Sequence, residues 1–255
     1  MKISKIFLYD EPTVSEIKPR KLATFLKQTF PVEVEIRKNI LNLSEKNMSQ
    51  KIESHIILNL RKPYEKQTFN TNEISVNKKN DVDVENITMY DGFKIQNILS
   101  EVIREDEKSL NMFHVVFTDK LLGTYDYSDY RYHGRVLISA NPTIISTTGI
   151  IEAPAKSAEY HLDMISNLRQ GENIESVKQK HKSTYIEYND KRLSKIIEGY
   201  LLQAIFYFET GVAFCDKLEC RLFNAHWQKD LIYSQLEINR LCDFHQSVLE
   251  KITQI

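Results

Sequence analysis

Residues 193–220, LSKIIEGYLLQAIFYFETGVAFCDKLEC, join two signals that together set the architecture. Leu193, Ile196, Ile197, Tyr200, Leu201, Ala204, Ile205 and Phe208 recur at helical spacing, in a stripe wide enough for a central helix. Gly211, three residues past the last of them, is a natural terminator, because glycine accepts the left-handed conformation that ends helices. A cysteine pair, Cys215 and Cys220, follows at once.

The third and last cysteine, Cys242, completes a C-x4-C-x21-C-x2-H pattern with His245. Three thiols and an imidazole in two short-spaced pairs suit a tetrahedral ion such as zinc, each segment clamping half of the site. They also suit small buried side chains, since free cysteines are common in cores. His226, in Asn224-Ala-His226-Trp-Gln228, competes with His245 as fourth ligand or supports the thiolates from behind; alternatively Trp227 covers the core and His226 starts the last helix. A reactive-thiol role has no C-x-x-C or Cys/His signature behind it. The periodicity predicts a last helix from Gln228 to Ile252, delivering Cys242 and His245 on one face at i and i+3.

Working outward, the first half alternates strands with helices. Strands are expected at Ile3–Tyr9, Val32–Ile36, Phe113–Thr118, Arg135–Ser139 and Thr143–Thr147, and helices at Lys18–Phe30 and Tyr90–Arg104. The polar stretch from Arg61 to Asp83 reads as a weakly structured excursion. From Ala158 onward the texture is helical, with a charged, solvated segment expected between Gln170 and Lys191. The expected fold is therefore α/β: a mixed sheet with a central helix and a helical C-terminal part holding a zinc knot. One domain over 1–255 is expected, with a sheet part at 1–157 and a helical part at 158–255.

A net charge of −1 gives no electrostatic case for nucleic acid or an anionic membrane. The apolar run near the N-terminus is broken by Asp10 and Pro12, too early for a signal peptide, and no stretch reaches the roughly 20 apolar residues of a membrane span. An odd cysteine count without an export signal points to a reducing cytoplasm. Sequence offers no sign of oligomeric state.

The order of features resembles the archaemetzincins, a family of zinc-dependent metallopeptidases with the signature H-E-x-x-H-x-x-G-x-x-H-C-x4-C-x-M and a downstream C-x-x-C. With the cysteines in register, Gly211, Cys215 and Cys220 match, Leu222 stands where methionine is expected, and Cys242 with His245 stands for the last pair. MYDGFKIQNIL at 89–99, FTDKLL at 117–122 and GRVLIS at 134–139 resemble the family's upstream helix start and cleft strands. The runs STTGIIEAPAK and CRLFNAHWQ also resemble a poorly characterised archaeal group of metallopeptidase-like proteins. The resemblance implies a zincin-like fold and a structural zinc, but not the catalytic half of the signature. Ala204, Phe208 and Phe214 occupy the three histidine positions and Ile205 that of the general-base glutamate, so neither zinc ligation nor proton abstraction is available there.

Other polar residues offer less. The loop Tyr125-Asp-Tyr-Ser-Asp-Tyr-Arg-Tyr-His133 reads as a hairpin connection whose tyrosines cover a sheet, or as a cleft lining. Glu152 lies between the two halves, where salt bridging is the ordinary role; a second metal site from His133, Glu152 and His161 is conceivable but carries no motif. Three functions compete: a non-catalytic descendant that binds a peptide or protein, an enzyme with a centre rebuilt from His133, Glu152 and His161, and an interaction protein whose apolar helix has filled the former cleft.

Overall fold

Along the first strand, β1 (Lys5–Tyr9), Ile6 and Leu8 enter one buried cluster while Phe7 and Tyr9 enter another, so both faces of this strand are covered. The computed structural model describes residues 1–42, 47–63 and 87–254. In it, β1 pairs in parallel with β2 (Glu33–Arg37) on one side and β4 (Met112–Thr118) on the other. β8 (Thr143–Ser146) continues the parallel set, and β7 (Leu137–Ile138) closes the edge antiparallel, giving the order β2-β1-β4-β8-β7. A second sheet, in the order β3-β5-β6, contains β3 (Met89–Asp91), β5 (Leu121–Asp126) and β6 (Arg131–Arg135).

The larger sheet separates two apolar layers. On one face, α1 (Pro19–Thr29) and α7 (Leu193–Thr210) cover Phe113, Val115, Phe117 and Ile145. On the other, α2 (Asn47–Glu53) and α3 (Gly92–Val102) cover Phe7, Val116 and Ile144. The stripe of α7 is buried nearly all round from Leu193 to Phe206, which explains its high apolar content, and each Leu or Ile so buried contributes about 1.5–3 kcal/mol. Its end is anchored twice. Gly211 takes φ 81° and donates its N–H to the Tyr207 carbonyl, and the Glu209 carboxylate accepts from the backbone N–H groups of Lys2 and Ile3 at 2.9 Å.

Several expectations change. The helix expected from Tyr90 starts at Gly92, because Asp91 caps it by accepting from the Phe93 and Lys94 N–H groups, and Tyr90 belongs to β3. The strand expected at Arg135–Ser139 is divided between two sheets, with Arg135 ending β6 and Leu137–Ile138 forming β7. Thr147 opens α4 (Thr147–Glu152), capped by Ser146, instead of ending a strand. The segment from Gln170 to Lys191 is not simply solvated. After α5 (Ala158–Gln170) it contains α6 (Ile174–Lys180), whose Val177 packs with Tyr160 and Tyr185 in a small cluster, while Ile186 joins the main core. A single apolar residue per turn among charges hides such a helix from periodicity.

The last helix is broken. α8 (Gln228–Ile232) runs into a wide π-turn at Tyr233–Ile238, which Asn239 ends in the left-handed conformation at φ 48°, before α9 (Asp243–Thr253) begins. Asparagine tolerates that conformation better than most residues, and the break was invisible to a count of apolar positions. The excursion expected at 61–83 falls mostly outside the described residues. Among those described, no helix is long and apolar enough to cross a membrane.

One polar tie fixes the outer strand of the large sheet. Arg37 makes a forked pair with Glu107, each N···O distance being 2.7 Å, and its guanidinium lies 3.9 Å from the Phe7 ring centre. The Arg37 hydrogen bonds hold the Glu107 carboxyl below the ordinary glutamate range. A depressed carboxyl binds more protons unfolded than folded, so its contribution is complete above the unfolded pKa of about 4.3 and disappears as pH falls through the lower folded value. Glu107→Gln should cost about 2–3 kcal/mol at pH 7. Urea melts from pH 7 down to pH 3 should show the variant and parent converging; a constant difference would rule out this ion pair as its source.

Candidate functional site

Three chain segments converge beyond the end of α7. Cys215 is held by its N–H donating to the Leu222 carbonyl at 2.9 Å, and a tight turn brings Cys220 back, its N–H donating to the Lys217 carbonyl. The Arg221 N–H donates to the Arg240 carbonyl, which draws the Asn239 break alongside and sets Cys242 at the N-terminus of α9. Cys242 is thus the capping residue and His245 lies three positions on, in the first turn, in place of the mid-helix pair expected from spacing.

The ligand atoms of Cys215, Cys220, Cys242 and His245 all lie within 4.8 Å of one another. Cys215 Sγ is 4.0 Å from Cys242 Sγ, and His245 Nδ1 is 3.2 Å from Cys242 Sγ and 3.7 Å from Cys220 Sγ. Ligands bound tetrahedrally to zinc, at roughly 2.3 Å for sulfur and 2.0–2.1 Å for nitrogen, are separated by about 3.5–3.8 Å, so the constellation fits one such ion. Backbone N–H groups already face the thiols: Lys217 donates to Cys215 Sγ and Cys242 to Cys220 Sγ, each at 3.4 Å. Such donors favour sulfur as thiolate, the form that binds metal.

Electrostatics divide the thiols. Burial pushes the Cys220 thiol up to about 12. Cys242 is also raised by burial, but the His245 backbone amide and the neighbouring thiols outweigh this and bring it below the ordinary range. Burial lowers His245, keeping its imidazole neutral, as a ligand must be. Without an ion, Cys220 is therefore a protonated core thiol; a divalent cation supplies the charge that would ionise it.

The other anticipated residues lie apart. His226 is exposed, with Nε2 3.4 Å from Asn224 Nδ2, and is outside the cysteine cluster. His133 on β6 contacts the Asp129 carboxylate at 2.8 Å, Glu152 ends α4, and His161 is an exposed residue of α5; these three do not form a metal-sized group. The tyrosine loop is a hairpin connection, with Tyr125 edge-on to both Tyr127 and Tyr132.

A groove of roughly 430 Å³ lies near the cluster, and its lining includes 134–139, the GRVLIS run already noted for its resemblance to a cleft strand. One wall is the turn-by-turn series Tyr200, Gln203 and Tyr207 of α7, and the other is the chain from Gly134 to Ser139 that passes between the sheets. Phe214 and Phe223, each next to a residue of the cysteine loop, close one end. The far wall is set by Gly149 of α4, where a Cβ would come within 2.3 Å of the Arg135 carbonyl. Gln228, two residues past the lining residue His226, ties α4 to the chain before α7: its amide nitrogen donates to the Ile150 and Ile151 carbonyls at 2.9 Å and its Oε1 accepts from the Ile186 N–H at 3.0 Å.

Residues 2–252 match the model of a family described as "Probable metallopeptidase family (DUF6775)". The chain belongs to this family. A zinc-dependent peptidase from Methanocorpusculum labreanum (strain Z) is a similar solved structure, with 12% identity and a TM-score of 0.45, the match covering 96% of this chain and 100% of that one. No curated protein matches the chain.

Helix α7, Leu193–Thr210, contains no histidine or cysteine, and its acids are Glu198 and Glu209. Ala204 and Ile205 are fully packed in the main core. Phe208 is half-buried, not fully buried, with its ring 5.0 Å from that of Phe113. The groove face is instead one residue earlier in register, at Tyr200, Gln203 and Tyr207. Burial pushes the Tyr200 phenol well above its ordinary range, so it remains a neutral donor.

Proposed function

We propose that this metallopeptidase-family chain is a zincin-like protein of archaemetzincin-type ancestry that holds one structural zinc and binds a peptide or protein segment in the groove without hydrolysing it. The observation that carries the reading is the groove face of α7, which offers Tyr200, Gln203 and Tyr207 where hydrolysis would require metal-binding histidines and a carboxylate. Cys215, Cys220, Cys242 and His245 would hold the ion, whose four-ligand shell leaves no open position for water. Bound there, zinc adds free energy to folding.

Zinc analysis and a peptide-library assay test this together. The expected result is one zinc per chain and no turnover. Two zinc ions per chain, or turnover that is abolished by chelator, restored by zinc and lost in a His133→Ala variant, would establish a working metal centre and overturn the non-hydrolytic reading.

A further inference from the structure

The groove carries a charge that no ion pair among the described residues neutralises. Arg135 is half-buried at the end of β6, and its Nε donates to Thr124 Oγ1 at 2.7 Å, which orients the guanidinium. Among the described residues it forms no ion pair, unlike Arg37, Arg104, Arg131, Arg192 and Arg221. The nearest acid along the hairpin, Asp126, is opposite Arg131; its carboxyl is lowered first by Ser128, with Arg135 contributing least. Among the described residues no acidic side chain lines the groove.

A second unmet group belongs to a residue that lines the same space. Gln203 is 1% exposed, its amide nitrogen donates to the Phe223 carbonyl at 3.2 Å, and its Oε1 is buried without a partner among the described residues. A buried acceptor left unpaired is costly, so it marks a place where a donor belongs. Among the described residues, only Leu60 makes a backbone hydrogen bond to the outer edge of β6. The Tyr132 N–H points away from β5 to the Leu60 carbonyl, and Gly134, two residues on, has the same outward orientation in an antiparallel ladder. Leu60 accepts along this edge as an added strand would, and Gly134, two residues on from Tyr132, lines the groove.

We infer that the groove selects an extended peptide bearing a carboxylate, either an acidic side chain or a free C-terminus, which pairs with the Arg135 guanidinium while a peptide N–H donates to Gln203 Oε1. The inference rests on the peptide-binding reading above and specifies its ligand. A carboxylate suits Arg135 because the guanidinium matches two carboxylate oxygens in one plane. The exposed aromatic faces of Phe93, Tyr207 and Phe214 supply the apolar contact that a peptide's neighbouring side chains need.

The test uses the full, zinc-loaded chain and three labelled octapeptide pools read by fluorescence polarisation. One pool has acidic side chains and a C-terminal amide, one has a free C-terminus and no acidic side chain, and one has neither. At least one carboxylate pool should bind roughly tenfold or more tightly than the uncharged pool, and which one does so identifies the source. Raising salt should shrink that ratio in the unmodified protein, and Arg135→Gln, checked for unchanged melting and zinc content, should abolish it. Arg131→Gln, at an exposed residue paired with Asp129, should preserve it. Equal binding of all three pools would overturn the carboxylate inference while leaving a peptide groove in place; failure of every pool to bind would overturn both.

Discussion

Cys220→Ser should yield a protein without bound zinc and with its folding stability lowered by at least about 3 kcal/mol. Structural zinc sites bind with apparent free energies of roughly 10–16 kcal/mol at pH 7, comparable to the entire stability of a domain, and much of that coupling is lost with one thiolate. Cys220 is the most revealing of the four because it is completely buried, with its sulfur between the Cys242 N–H and His245 Nδ1. A purely apolar thiol there would also resent serine, so the variant is paired with chelation of the unmodified chain. Stability in guanidinium should fall on chelation of the parent and remain unchanged on chelation of the variant. Identical parent curves with and without chelator, in a preparation free of zinc, would show that the cysteines are core residues alone.

Phe206→Ala should have the second-largest effect, about 3–5 kcal/mol in stability, together with weakened zinc retention. Phe206 is 1% exposed on α7 and its ring meets that of His245 at 5.8 Å, tilted by 66°. Truncation leaves a cavity on the core side and removes the surface that fixes the imidazole. Zinc competition with a chromophoric chelator separates the two consequences. Loss of stability with unchanged zinc affinity would mean that His245 is positioned by α9 without help from α7.

The central helix and its glycine stop were legible in sequence because apolar residues recur over five turns and the terminator has a local chemical cause. The cysteine cluster was legible as a set of residues but not as a geometry. Its convergence depends on a left-handed Asn239 and on the hydrogen bond between Arg221 and Arg240, neither of which alters a periodicity. The groove was legible only in part, through the GRVLIS run at 134–139. Its lining comes from residues near 93, 135, 203 and 225, and the decisive facts are that Arg135 has no ion pair and Gln203 Oε1 no partner among the described residues, which only the folded chain reveals. With the cysteines in register the signature falls on Ala204 and Phe208, whereas the groove-lining residues of the helix, Gln203 and Tyr207, lie one position earlier.

The brace made by Gln228 has a consequence for the order in which the chain assembles. Its amide joins residues 42, 77 and 78 positions distant, so it gains its partners only after several long loops have closed. The parallel strands and α7 can gather around apolar contacts without it, whereas the junction of α4, Ile186 and the start of α8 waits for this last clasp. Pulsed hydrogen exchange during refolding should therefore find the Ile186 amide protected later than the amides of β1 and β4. Early protection of Ile186 would instead make this polar clasp part of the folding nucleus.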